Sequence, residues 1–252
     1  TGTVKNLTLL CKQSLYGIPE YADGDDGKNM SSDICAPLAY AVVGGTISNI
    51  KVHAVPYTDS EGKTVYPKVV AALPSGLVTW AYKGATIENC TSDIDVEMRL
   101  AINYNAKDNT LFASGLVAQA ADATITQCKY APRGDFKFSS TYSTPNIYFG
   151  GIVGGTVKKQ IDTYHIPKLT ISDCASWYSP KDNAYTIGSI IGRAYYISVT
   201  GNENVDGVNK TACQGNWWPS GITGVGNISA VGGDEKIIGK KSSVNPDKPV
   251  FD

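Results

Sequence analysis

Four charged residues on one short stretch, Asp93, Asp95, Glu97 and Arg99, are the side chains in this chain best suited to chemistry. They alternate with Ile94, Val96 and Met98, and the apolar alternation runs on through Leu100, Ile102 and Tyr104. Alternation places the charged set on one face of a strand and the apolar set on the other. At about 3.3 Å per residue, charged neighbours two apart lie about 6–7 Å from one another. Paired carboxylates near that separation serve as acid and nucleophile or base in glycoside hydrolysis. Against this stands solvation: a strand face turned to water is ordinarily charged, and Arg99 beside Glu97 makes a surface ion pair of small value. The simpler expectation is an outward, solvated face.

Other chemistry has less support. Ser114, Ser189 and Ser220 lie beside glycines, but only His53 and His165 exist to act as bases, and neither has a triad context. Both histidines read as ordinary surface or loop residues. The stretch Asp23, Asp25, Asp26, Gly27 and Asn29 has the flavour of a calcium loop. An EF-hand requires glycine at its sixth position and glutamate at its twelfth; counted from Asp23 these are Lys28 and Ile34, so a solvated turn is expected. No HExxH, CxxC, P-loop or GxGxxG is present, and neither a metal nor a cofactor is expected.

What must position these residues is a repeat. Ser75 to Cys90 (SGLVTWAYKGATIENC) is rewritten at Ser114 to Cys128, at Gly150 to Cys174 and, less completely, at Cys35 to Ile50. Gly2 to Leu7 supplies the second half alone, and Gly188 to Gly192 and Ser220 to Gly224 restart the first half. In the second half, Thr3, Thr46, Thr86, Thr124 and Thr170 form a column at spacings of 38 to 46 residues, the range of stacked repeats. Beside it run Val4, Ile47, Ile87, Ile125 and Ile171. Three residues later come Leu7, Ile50, Cys90, Cys128 and Cys174. Two apolar columns three apart cannot both face inward on a straight strand. A bend between them resolves this, and there stand Asn6, Asn49, Asn89, Gln127 and Asp173. Asn and Asp accept left-handed backbone, and stacked amides can bond one another along the axis.

The first half carries small columns, Cys35/Ser75/Ser114/Gly150/Gly188/Ser220 and then Ala36/Gly76/Gly115/Gly151/Ser189/Gly221, followed by large aliphatics. Small residues in register admit close backbone approach. The pattern predicts an all-β chain, a parallel β-solenoid of about six irregular coils with long loop excursions. Residues 1–231 form the solenoid, and 232–252, with Pro246 and Pro249, form a C-terminal capping segment or tail. Thr1 falls almost on the first repeat, so a preceding segment is expected.

The alternation of a small-Gly-aliphatic-Val segment with a Gly/Ala-Thr-Ile-x-Asn-Cys segment resembles the GLUG repeat, over roughly residues 35–192. The resemblance implies a single-stranded right-handed parallel β-helix of pectate-lyase-like architecture on a bacterial surface protein. It implies secretion and surface display, and it carries over no catalytic residue.

Composition narrows the classes further. Net charge is −1, charged residues are 18 %, and the arginines are three, Arg99, Arg133 and Arg193. No basic patch of the kind that neutralises phosphates appears, so nucleic acid is not an expected partner. No apolar run reaches the roughly 18 residues of a membrane helix. The six cysteines are expected free: Cys90, Cys128 and Cys174 occupy a core column, Cys35 a small column, Cys11 an apolar alternation, and Cys213 has no assigned place.

One feature remains for recognition. Trp177, Tyr178, Tyr195, Tyr196, Trp217 and Trp218 gather where the repeat wears out. Adjacent rings on an extended chain place one of each pair outward, as flat platforms for a glycan or for a host or surface protein. The competing account is an apolar cap on the last coil. The sequence therefore reads as a monomeric, non-enzymatic extracellular module for adhesion or for glycan or protein binding, or a spacer. The alternative is a polysaccharide lyase or glycoside hydrolase acting through Asp93, Asp95, Glu97 and Arg99.

Overall fold

The computed structural model describes residues 2–17, 34–99, 110–139, 146–156, 168–179, 186–194, 212–228 and 235–251. Apart from one helical turn, Glu235–Ile238, the regular structure among them is β-strand. The threonine column is real. Thr3, Thr46, Thr86, Thr124 and Thr170 are parallel partners from coil to coil, and the Val/Ile column beside them keeps the same register. The chain is a β-solenoid of about four turns. The expectation of about six coils is slightly higher than this count.

The bend lies where the two apolar columns require it. Asn6, Asn49, Asn89, Gln127 and Asp173 all have left-handed backbone, with φ of 59°, 56°, 49°, 55° and 52°. This conformation swings the next residue inward, so Ile50, Cys90, Cys128 and Cys174 are buried together with Ile47, Ile87, Ile125 and Ile171. The amides stack as well: Asn49 Nδ2 donates to Asn6 Oδ1 at 2.9 Å, and Asn89 Nδ2 to Asn49 Oδ1 at 2.7 Å. In the first strand, Thr3–Cys11, the same columns end in Val4 and Leu7, which are exposed because the strand has a coil on one side only.

A second sheet stacks Ala39–Val43, Val78–Tyr82, Val117–Ala120, Val153–Thr156, Ile191–Ala194 and Val225–Ile228. Its register corrects the sequence alignment at both ends. Cys35 is opposite Pro74 and Ala39 opposite Val78, one residue out of step with the Cys35/Ser75 alignment. The slip is taken up at the bend, where the second coil holds Lys83 and Gly84 at positive φ and the first holds Gly44 alone. At the other end Ile191 pairs with Val225, so Ile222 to Gly226 continues the sheet in place of Ser220 to Gly224. Gly226 sits at a close approach, where a Cβ would lie 2.7 Å from the Ile187 carbonyl carbon and 2.8 Å from Gly188 N. Both readings bring a glycine to the close approach; the observed one also places Val225, which is buried, at the inward position of Ile191, where the other would place Thr223.

All six cysteines are free. Cys90, Cys128 and Cys174 stack in the core, each thiol donating to the carbonyl two residues back, of Glu88, Thr126 and Ser172, at 3.2–3.3 Å. Burial pushes the Cys128 thiol well above its ordinary range. Cys213 finds its place too. The Ala175–Trp217 bridge sets it opposite Ile171, whose amide donates to its sulfur at 3.3 Å. Gly215, φ 68°, then turns the corner opposite Asp173. The helical turn closes this end with Ile237 and Ile238 buried, and Asn216 Nδ2 joins Ile171 O and Ile238 O at 2.7 and 3.0 Å.

The corner and the core column have measurable consequences. Asn89→Gly keeps the left-handed backbone without strain, while Asn89→Val should lose roughly 1–3 kcal/mol to strain at φ 49°; urea unfolding of the two variants compares them, and equal midpoints would contradict the corner. Ile87→Asp should cost more than about 3 kcal/mol by burying an unpaired charge. Thiol labelling of Cys90, Cys128 and Cys174 should proceed in denaturant and be blocked in the native protein.

Candidate functional site

The strand Asp95–Arg99 turns Val96 and Met98 inward, with Ile94 ahead of them, as the alternation predicts. Leu100, Ile102 and Tyr104 lie outside the described residues. The opposite face is not the solvated surface expected of it. Asp93 is 1 % exposed and Glu97 6 % exposed. The reason is that side chains of neighbouring coils close over these two carboxylates, His53 and Arg133 over Asp93 and Lys68 over Glu97.

Asp93 links three coils. Its Oδ1 accepts the Ala54 amide at 2.8 Å, its Oδ2 lies 2.8 Å from His53 Nδ1, and the Arg133 guanidinium reaches Oδ2 at 2.5 Å. Arg133 also stands over the Tyr66 ring, 4.6 Å from its centroid. His53 is therefore buried and held by a carboxylate, a correction to its reading as an ordinary surface residue. Asp95, half-buried, accepts the Arg133 and Gly134 amides at 2.9 and 3.0 Å. Glu97 is clamped between Lys68 Nζ and Arg99 Nη2, the latter at 2.6 Å. Burial pushes the Glu97 carboxyl up, but the hydrogen bonds and charges of Lys68 and Arg99 outweigh it and hold the group below its ordinary range.

This arrangement is poor equipment for sugar chemistry. A general acid must hold a proton at working pH, and a nucleophile must face the substrate. Glu97 is biased to the ionised form, and Asp93 is enclosed by donors. The serines fare no better: Ser189 Oγ donates to Tyr178 O at 3.0 Å inside the core, Ser114 is buried, and Ser220 is exposed in a turn. His165 and the Asp23 to Asp26 stretch lie outside the described residues. Among the described residues no group of three His, Cys, Asp or Glu side chains is placed to hold a metal ion.

The aromatic set divides. Tyr195 and Tyr196 lie outside the described residues. Tyr178, 2 % exposed, is a core side chain: its ring packs 4.7 Å from Phe149, its oxygen accepts the Phe136 amide at 3.1 Å, and burial pushes its phenol up to about 12. Trp218 is also buried, between Gly224 and Lys241. As platforms these two are corrected: Tyr178 belongs to the interior of the stack, and Trp218 packs under the closing segment. Their neighbours Trp177 and Trp217 are half-buried, with ring centroids 5.2 Å apart. A second ring cluster was missed by the sequence reading. Tyr40, 53 % exposed, lies 5.0 Å from Trp80, which in turn lies 6.5 Å from Tyr82. Its signal was present as a Tyr in one coil and a Trp-x-Tyr in the next.

No protein family, curated protein or solved structure matches this chain.

Asp93→Ala should destabilise by roughly 1–3 kcal/mol, because it leaves the buried Ala54 amide without its acceptor and Arg133 without its carboxylate. Asp95→Ala, which frees two amides of an exposed loop, should cost about 1 kcal/mol. Urea unfolding separates the two. For Glu97 the folded value lies below the unfolded one, so its contribution is complete above the ordinary glutamate value of about 4.3 and is lost as pH falls through the folded value. The stability difference between wild type and Glu97→Gln should shrink over that acidic window and stay constant above it.

Proposed function

We propose that this protein is a non-enzymatic extracellular or cell-surface module that binds a glycan or a protein surface through aromatic rings held on a rigid solenoid. The observation that carries the reading is the Trp177–Trp217 pair, two partly exposed indoles side by side on adjacent coils. Indole is the side chain most enriched where binding energy concentrates, and a ring already fixed in place loses little entropy on contact. The lyase or hydrolase alternative loses support from the ion pairs that occupy Asp93 and Glu97. Secretion, which the resemblance to GLUG repeats implies, is compatible with free cysteines because five of the six are buried. The resemblance itself rests on the Gly/Ala-Thr-Ile-x-Asn-Cys columns, whose structural roles fit a stacked repeat.

Trp177→Ala and Trp217→Ala should each weaken binding to a glycan or protein ligand by about 1–3 kcal/mol while leaving the melting temperature nearly unchanged. A glycan array followed by calorimetry on the hits measures the first, and thermal unfolding the second. Cleavage of an acidic polysaccharide that disappears in Asp93→Asn or Asp95→Asn would overturn the proposal in favour of the alternative. Neither binding nor cleavage would leave the role of spacer.

A further inference from the structure

The last residues of the chain do not trail away from the cap. After the helical turn, Ser242 donates its amide to Asn216 O in the final coil at 2.8 Å. Eight residues later the chain has reached Lys51 and His53, in the strand Thr46–Ala54 near the opposite end of the solenoid. Lys51 Nζ donates to Val250 O at 3.2 Å and stands 5.0 Å from the centroid of the Phe251 ring. The His53 imidazole stacks on the same ring, centroids 5.4 Å apart and planes 14° from parallel.

This contact has the form of a ligand in a site. The segment is not part of the core: Val244 is 70 % and Val250 73 % exposed. Pro246 and Pro249 fix φ and favour an extended run, which lowers the entropy lost on docking. The receiving side is pre-organised independently of the tail. Asp93 fixes His53 through Nδ1, and Asp93 is in turn fixed by the Ala54 amide and Arg133, so the imidazole face keeps its orientation whether or not a ring lies on it. The polar requirement is equally simple: a backbone carbonyl one residue before the aromatic ring, to accept from the Lys51 ammonium.

The geometry points to the Lys51–His53 surface as a docking site for extended peptide segments carrying an aromatic residue, occupied in this chain by its own Val250–Phe251. The tail is a tethered competitor. A short tether holds this segment at roughly millimolar effective concentration, so a partner segment of higher affinity displaces it while a weak one does not. This site shares an outer sheet column with the indole pair of the proposed function, Lys51 standing in line with Trp217 through Thr91, Lys129 and Ala175, but its contacts to the tail are made by Lys51 and His53.

The test uses the full chain with Phe251→Ala, which vacates the site, and a labelled synthetic peptide of sequence NPDKPVFD, matching residues 245–252. Fluorescence anisotropy should show this peptide binding the variant about tenfold or more tightly than wild type, whose own tail competes. A peptide with its Phe replaced by Ala should bind neither protein. Adding Lys51→Glu to the Phe251→Ala protein should abolish the gain. Equal affinity of wild type and variant, or binding indifferent to the peptide's aromatic ring, would overturn the inference. Should the variant melt abnormally, the wild type decides: excess peptide should shift the backbone amide resonances of Val250 and Phe251 toward free-tail values, and unshifted resonances at saturating peptide would overturn it.

Discussion

The left-handed corner between the threonine column and the cysteine column is the constraint on which the structure depends. Five non-glycine residues adopt it in register, although a side chain in that region ordinarily costs about 1–2 kcal/mol. What offsets the cost is local and repeated. The corner admits two apolar columns to the core where a straight strand admits one, and its amides bond along the axis at Asn6, Asn49 and Asn89. In the last coil, Gly215 turns the same corner with no side chain at all. A Cβ there would meet Asp173 Oδ1 at 2.0 Å, so the column ends where its own carboxylate fills the next position.

In-register stacking also governs the outside. Coils lie about 4.8 Å apart, so an outward residue of an inner coil has neighbours from the coils on either side. Ala54, Asp93 and Arg133 are some forty residues apart in sequence and meet at one carboxylate. Lys68 and Glu97 meet in the same way across adjacent coils. Charged residues that would be solvated on an isolated strand thus become axial clamps. The same cluster that removes Asp93 from catalysis gives His53 a fixed orientation.

The threonine, isoleucine and corner columns were legible because each position repeats its chemistry every coil. The inward alternation of Ile94, Val96 and Met98 was legible for the same reason. Burial of Asp93 was not, because its partners do not repeat: His53 is the only histidine of its column, and Arg133 arrives on an excursion that has no counterpart in the coil before. The path of the tail was also hidden, since nothing in the stretch from Gly239 to Phe251 is periodic. Registers at the two ends differed for separate reasons: a one-residue slip hidden in the Lys83-Gly84 bend at one, and two glycine-containing alignments distinguished by the buried Val225 at the other.

Ring spacing separates the two recognition surfaces by origin. Trp177 and Trp217 stand 5.2 Å apart and Tyr40 and Trp80 5.0 Å, both close to the pitch of the stacked coils. Those platforms are built on the solenoid ladder, with the rings meeting diagonally across it: Trp217 pairs with Ala175 and Trp80 with Ala41. The stack of Phe251 on His53 has no such source. It joins residues almost two hundred positions apart, from a segment that belongs to no sheet, and its geometry is set by side chains alone. A contact that the repeat does not enforce is one that the fold can release without disturbing a single rung.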